Sequence, residues 1–93
     1  MNPMARFQAT AKILNKRGLH ARASAKLVEA ASRFHSHITV GKDGQCVDAR
    51  SIMGLMLLAA PVGSEVEISA AGDDAKQALT AILALIEAKF GEE

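Results

Sequence analysis

The alternation of apolar and polar residues in two segments of this 93-residue chain most constrains its fold. Residues 6–13 place apolar side chains such as Phe7 and Ile13 on one side of an extended chain, and residues 65–70 repeat the pattern. Strands that are covered on both faces of a sheet are continuously apolar instead. The alternation therefore predicts an antiparallel sheet with one face covered by helices and one face in water.

Two shorter segments predict a β-hairpin. Residues 37–40 and 45–49 favour extended structure, and residues 41–44 connect them. The connection ends in Asp43-Gly44, and Asp-Gly is a strong signal for the tight turn between antiparallel strands. We therefore expect these two strands to pair with each other.

Three other segments carry apolar residues at helical spacing. The first follows residues 15–18, and the last follows Gly72-Asp73-Asp74, with Gly91 beyond its end. The polar stripe of the first helix contains Arg22, Lys26, Glu29 and Arg33. Such a stripe is typical of a helix with one face in solvent.

The middle helix is predicted over residues 51–60, with Ser51 as its N-cap and Pro61 closing it. The resulting order is β-α-β-β-α-β-α. This order and the alternating strands predict an α/β (α+β) fold of the open-faced sandwich type, with the three helices on one face of a four-stranded antiparallel sheet. The length predicts a single domain over residues 1–93, with its core between residues 5 and 91.

Charge and cysteine content exclude several classes of protein. Eleven Lys and Arg residues face ten acidic ones, and Trp and Tyr are missing, which argues against nucleic-acid binding by phosphate neutralisation or base stacking. Cys46 is the only cysteine, so neither an intrachain disulfide nor a thiolate-rich zinc site is expected, and a reducing cytoplasm is the expected location. Residues 1–6 do not resemble the start of a secretory signal, and no stretch approaches the roughly 20 apolar residues of a membrane helix.

The segment Gly18-Leu19-His20-Ala21-Arg22-Ala23-Ser24 brings a histidine and an arginine to the start of the first helix. Backbone N–H groups at a helix start lack intrahelical partners and favour an anion such as a phosphoryl group. Arg22 could add a charge-assisted pair to its oxygens. The alternative is that both residues are ordinary solvated side chains, as isolated His-x-Arg sequences usually are.

Two motifs together resemble one family. The run Gly18-Leu19-His20-Ala21-Arg22, the later run Arg50-Ser51-Ile52-Met53-Gly54-Leu55-Met56 and the length resemble HPr, the histidine-containing phosphocarrier of the bacterial phosphotransferase system. The resemblance extends from Ala5 to Gly91. One departure is Ala23, where many members have proline, which would preset φ in the first helical turn.

The resemblance implies a sheet order of 1-4-2-3 and a phosphoryl relay rather than a multiple-turnover enzyme. His20 is then the residue that accepts the phosphoryl group, on Nδ1, from enzyme I and passes it to an EIIA-type protein. The chemistry is suitable because imidazole ordinarily titrates near physiological pH, and Arg22 could screen charge during in-line transfer without a metal or another cofactor. Arg17 and Ser24 are weaker candidates, as a charged loop residue and a small helical residue are usually structural.

Ser51 has two compatible interpretations. As a helix N-cap it contributes on the order of 1 kcal/mol. The resemblance also implies regulatory phosphorylation, because the aligned serine in many HPr proteins is modified by an HPr kinase/phosphorylase. A phosphate there would add about two negative charges beside the docking surface.

Met53, Met56 and Leu57 belong to a helix that is apolar around most of its circumference. Methionine side chains adapt to several partners, so these residues are interpreted as a docking site for successive donors and acceptors. The alternative is that all of them are core. His35 and His37 could form a two-histidine metal clip, but no third ligand follows at suitable spacing, so no metal is expected.

Two rival functions remain at this point. Within the same class, the nitrogen-related phosphotransferase branch would use such a carrier for regulation instead of sugar uptake. From a different class, a small α/β binding module without phosphotransfer, such as a metallochaperone or an acylphosphatase-like protein, would share the element order. The absence of Cys-x-x-Cys argues against a metallochaperone, and no phosphate-cradling loop is evident near the first strand.

Overall fold

The computed structural model describes residues 5–92, and it contains the seven predicted elements in the predicted order. The expectation about a signal segment rests mainly on residues 1–4 and lies outside this range. The elements are β1 (Arg6–Lys12), α1 (Ala21–Ala31), β2 (His37–Lys42), β3 (Gln45–Asp48), α2 (Ile52–Leu57), β4 (Glu65–Ala71) and α3 (Ala75–Glu87). A short turn, Lys89–Gly91, follows α3.

The four strands form one antiparallel sheet in the order β1-β4-β2-β3, which confirms the order implied by the family resemblance. The alternation of the central strand β4 is realised as predicted: Val66 and Ile68 are buried, whereas Glu65 and Glu67 are exposed. Strand β1 lies at an edge, so Phe7 remains partly exposed although it belongs to the apolar side.

The helices cover the apolar face of the sheet. Helix α3 packs over β1 and β4, and α1 packs against α2 and α3. The partly buried Phe34 packs against the core between the layers, and among residues 5–92 the core itself is aliphatic apart from one aromatic ring, Phe90. Its largest fully buried members include Ile13, Leu27, Ile38, Leu55, Ile68, Ile82 and Ile86. Full burial of each such side chain stabilises the fold by about 1.5–3 kcal/mol.

Some predicted boundaries were wrong. Helix α2 ends at Leu57 instead of Ala60, because Ala59 has a φ of 52° and cannot continue a right-handed helix. Pro61 therefore lies beyond the end of the helix and does not close it. Strand β2 continues to Lys42, so the hairpin turn contains only Asp43 and Gly44, whose positive φ values suit a tight turn between antiparallel strands.

The ends of three other strands also differ from the prediction, and one of them, β4, extends one residue further, to Ala71. Strand β1 ends at Lys12, one residue before the fully buried Ile13. Strand β3 ends at Asp48, one residue before Ala49. Strand β2 begins at His37, so His35 precedes the strand and does not share an extended segment with His37.

Two charged side chains join the loops at one end of the molecule. The carboxylate of Asp74 accepts hydrogen bonds from the backbone N–H groups of His35 and Ser36, at 2.9 Å each, and from the Ser36 hydroxyl. The Ser36 hydroxyl and the His35 N–H are the main causes that hold the pKa of Asp74 below its ordinary value. The Arg50 guanidinium donates to the carbonyls of Ala31, Phe34 and Ser36. The α1–β2 loop is therefore tied to the starts of α2 and α3.

Candidate active site

Gly18 allows the loop before α1 to approach the chain that follows α2. Its φ is +66°, and a Cβ at this position would lie only 2.4 Å from the carbonyl oxygen of Ala60. The next N–H, of Leu19, donates to the same oxygen at 3.0 Å. A residue other than glycine would be strained here both by its φ and by the contact. This close approach places the start of α1 beside the end of α2.

His20 is the N-cap residue of α1, and its imidazole makes a contact through each nitrogen. The ring nitrogen Nδ1 accepts from the backbone N–H of Arg22 at 3.3 Å, and Nε2 lies 2.6 Å from Oε2 of Glu92. A backbone N–H can only donate and an ionised carboxylate can only accept. The two contacts therefore assign the lone pair of the imidazole to Nδ1 and its proton to Nε2.

Glu92 is held beside the imidazole by a second hydrogen bond. Its Oε1 accepts from Nδ2 of Asn15 at 3.0 Å, and the same Nδ2 donates to the carbonyl of Gly18 at 2.8 Å. The hydrogen bond from Asn15 is the main cause that lowers the pKa of Glu92, and His20 and Lys26 lower it further. The carboxylate is consequently ionised at neutral pH.

A positively charged cleft of about 400 Å³ lies beside this loop. Its lining combines four cationic side chains with one carboxylate: Lys16, Arg17, Arg22 and Lys26, together with Gly91 and Glu92. Arg17 and Arg22, both candidates from the sequence, thus line the same cleft. A cluster of four positive charges attracts a multiply charged anion. Arg side chains also match the geometry of phosphoryl oxygens.

Two residues near His20 have structural contacts. Ser24 is fully buried, and its hydroxyl donates to the carbonyl of Leu19 at 3.2 Å, so it supports the loop in front of the helix. Lys26 was predicted to be a solvated residue of the polar stripe. It is instead half-buried, and its Nζ donates to the carbonyl of Phe90 at 2.7 Å, which joins α1 to the C-terminal turn.

Ser51 caps α2, as predicted. Its Oγ accepts from the backbone N–H of Gly54 at 3.0 Å, and its backbone is extended, which is typical of an N-cap residue. The helix that Ser51 caps exposes an apolar surface that includes Met53, two residues later.

The alternative interpretation, that Met53, Met56 and Leu57 are all core residues, is wrong. Met53 is 71% exposed, Leu57 75% and Met56 43%, whereas Leu55 and Leu58 are buried. Met53, Met56 and Leu57 therefore form an apolar surface, which we call the α2 surface. The chain that follows this helix contacts the His20 loop, through the carbonyl of Ala60.

Residues 5–92 give no support for a metal site or a membrane-spanning helix. His35 and His37 are exposed, and this range contains no group of three or more His, Cys, Asp or Glu residues that could hold a metal ion. None of the helices in this range has the length and apolar composition needed to cross a membrane.

Glu92 and Asn15 were not singled out by the sequence. Asn15 belongs to a loop that the pattern marks only as a break, and Glu92 follows the last helix in an acidic terminus. Glu92 contacts both Asn15 and His20, and each of these contacts joins positions more than 70 residues apart. No local sequence signal predicts such a pair.

The fold and the site together define a class of protein. An open-faced α/β sandwich that presents one imidazole at a helix N-terminus, beside a cationic cleft and an exposed apolar helix, is typical of a small phosphocarrier. This class agrees with the resemblance noted in the sequence.

Comparison with known proteins identifies the family. The family described as the PTS HPr component phosphorylation site matches residues 7–88. Phosphocarrier protein HPr of Cupriavidus necator is 51% identical over 86 residues, which cover 92% of this chain and 97% of the relative. Phosphocarrier protein NPr of Shewanella violacea is 40% identical over 89 residues, which cover 96% of this chain and 98% of the relative.

A solved structure of an HPr protein has the same fold. The crystal structure of HPr-C-His from Thermoanaerobacter tengcongensis superposes with a TM-score of 0.90 at 50% identity, covering 94% of this chain and 98% of that one. The chain belongs to the HPr family of phosphocarriers of the phosphotransferase system.

Proposed function

We propose that this protein accepts a phosphoryl group on Nδ1 of His20 from phosphorylated enzyme I and passes it to an EIIA-type protein. The observation that carries this proposal is the hydrogen bonding of the imidazole. Its Nδ1 accepts from a backbone N–H at the start of α1, so this nitrogen presents a lone pair where a helix N-terminus favours an anion. Family membership supports the same assignment.

The transfer is an in-line displacement at phosphorus. A bond forms between Nδ1 and phosphorus, the bond from phosphorus to the donor breaks, and its electron pair remains with the donor. The first N–H groups of α1 and the guanidinium of Arg22 stabilise the negative charge on the phosphoryl oxygens. Arg17, which lines the same cleft, adds a second positive charge. Transfer to the acceptor reverses these steps with a new partner, and no cofactor is required.

The α2 surface is proposed as the docking site for both partners. Enzyme I and EIIA-type proteins must each approach His20 in turn, and the chain that follows α2 contacts the loop that carries it, through the carbonyl of Ala60. Met53, Met56 and Leu57 offer adaptable apolar side chains for two different partners. Ser51, at the start of this helix, is proposed as a site of regulatory phosphorylation by an HPr kinase/phosphorylase.

The sugar-uptake branch is preferred to the nitrogen-related branch. The HPr relative is 51% identical and the NPr relative 40% identical to this chain. The protein is proposed to act in the bacterial cytoplasm, where phosphoenolpyruvate is available. Membership of the HPr family argues against a small binding module without phosphotransfer.

Incubation with phosphoenolpyruvate and a catalytic amount of enzyme I tests the proposed function. Intact mass should increase by one phosphoryl group that acid removes and alkali does not, because a phosphoramidate is cleaved when its nitrogen is protonated. His20→Ala should gain no label, whereas His35→Ala and His37→Ala should label normally because both side chains are exposed away from the cleft lining. Labelling of His20→Ala to the parent level would overturn the assignment.

A further inference from the structure

The chain that follows α3 turns back toward His20 in an unusual conformation. Three successive residues, Lys89, Phe90 and Gly91, have positive φ values of 58°, 55° and 75°. This region is disfavoured for residues other than glycine, so surrounding contacts must hold it. We call residues 89–92 the C-terminal strap.

Three contacts hold the strap against the loop before α1 and against α1 itself. Phe90 is 1% exposed and belongs to the core, and its carbonyl accepts from Nζ of Lys26 at 2.7 Å. Asn15, also fully buried, donates to Oε1 of Glu92. The contacts of Phe90 and Asn15 together place the carboxylate of Glu92 next to Nε2 of His20.

Only a carboxylate satisfies both donors at this position. Oε1 accepts from Asn15 while Oε2 accepts from the imidazole, so both oxygens are needed as acceptors. An amide in the same place would offer one oxygen and one NH₂ group, and the NH₂ group would face a donor. The pKa of Glu92 lies below its ordinary value, chiefly because of the hydrogen bond from Asn15, which keeps it ionised.

We propose that Glu92 is a positioning residue for phosphoryl transfer: it holds the proton of the imidazole on Nε2 so that Nδ1 presents its lone pair to phosphorus. This inference deepens the proposed function and rests on it. As the bond from Nδ1 to phosphorus forms, positive charge develops on the ring, while the proton stays on Nε2. The carboxylate at 2.6 Å stabilises that charge.

Nuclear magnetic resonance of the unphosphorylated protein tests the contact by itself. In the parent, the Nε2-bound proton of His20 should be protected from exchange at neutral pH and detectable by its coupling to ¹⁵N. In Glu92→Ala the same proton should exchange too fast to observe. Glu87→Ala, which removes an exposed carboxylate at the end of α3, is the matched control and should retain the parent signal.

Transfer kinetics from phosphorylated enzyme I test the consequence. Glu92→Ala should lower the maximal rate of phosphorylation about tenfold, which is typical of losing one charge-assisted hydrogen bond, with little change in the Michaelis constant for enzyme I. Glu92→Gln should have an intermediate rate because it keeps one acceptor oxygen. A thermal melt of each variant separates these effects from loss of folding.

Other outcomes would contradict the contact, its role in transfer or the proposed function. An unchanged Nε2 proton in Glu92→Ala would overturn the contact, and an unchanged transfer rate would overturn its role in transfer. Faster phosphorylation of Glu92→Ala would also overturn the proposal, since the strap would then obstruct His20. If the parent itself accepts no phosphoryl group, it is the proposed function that fails.

Discussion

His20 and Arg22 lie two residues apart, yet their side chains differ in burial and in contacts. The imidazole is half-buried and held through both nitrogens, so small changes around it alter which nitrogen is reactive. Arg22 is exposed, and its guanidinium lines the cationic cleft. Substitution of Arg22 should consequently affect the reaction more than the fold.

Arg22→Ala should slow phosphoryl transfer without unfolding the domain. Removal of one group that stabilises transition-state charge typically lowers the rate about 10- to 1,000-fold. Stopped-flow transfer from phosphorylated enzyme I, together with a thermal melt, measures both effects. Arg33→Ala removes an exposed arginine beyond the end of α1 and is the control. Equal rates for the parent and Arg22→Ala would show that Arg22 is an ordinary solvated residue.

At the scale of elements, α2 is too short to be stable alone. Helices of fewer than about 12 residues are marginal in water, so the six residues of α2 depend on their N-cap and on burial of Leu55. The same helix exposes Met53 and Leu57. A single short element therefore combines a structural cap, a buried anchor and the α2 surface.

Two substitutions of Ser51 separate its role as an N-cap from the effect of a negative charge at this position. Ser51→Ala should lose about 1 kcal/mol of stability and transfer phosphate at nearly the parent rate. Ser51→Asp keeps a capping side chain but adds a negative charge beside the α2 surface, so it should raise the Michaelis constant for enzyme I more than it lowers the maximal rate.

Steady-state kinetics at low salt and urea unfolding make these measurements. Gln77→Glu adds the same charge at an exposed position on α3 and is the control. If Ser51→Asp depends on enzyme I concentration as the parent does, the regulatory role of Ser51 is refuted and the residue is only a cap.

At the scale of the whole molecule, long-range polar contacts join segments that the sheet does not connect. Asp74 binds the α1–β2 loop across 38 residues of sequence, and Glu92 binds His20 across 72. Both carboxylates have lowered pKa values because they accept hydrogen bonds in the folded state. Their ionised forms therefore stabilise the fold.

The contribution of Asp74 to the free energy of unfolding should decrease as the pH falls. Its pKa in the folded protein lies below the unfolded value of about 3.9, so the stabilisation is complete above that value and is lost as the pH falls through the folded pKa. Asp74→Asn should be less stable than the parent at pH 7, and the difference should narrow below about pH 4.

Urea unfolding between pH 7 and pH 3 checks this expectation. Asp73→Asn, at the exposed neighbouring position, is the control and should follow the pH dependence of the parent. A difference between Asp74→Asn and the parent that stays constant over this range would contradict the assigned role of the carboxylate.

The sequence by itself determined the kind and order of the elements, because periods of two and of 3.6 residues are local properties. It also determined Ser51 as a cap and the His20 motif, since both depend on neighbouring residues. The order of the strands in the sheet was implied by the family resemblance, not by periodicity.

Tertiary structure alone decided the rest. Ala59 ends α2 early in a left-handed conformation that its own sequence does not favour, and exposure of Met53 and Leu57 depends on which side of α2 meets the core. The contact between Glu92 and His20 joins residues that lie 72 positions apart in the sequence. Such contacts join distant residues, and their energies exist only after the intervening chain has folded, so no local pattern encodes them.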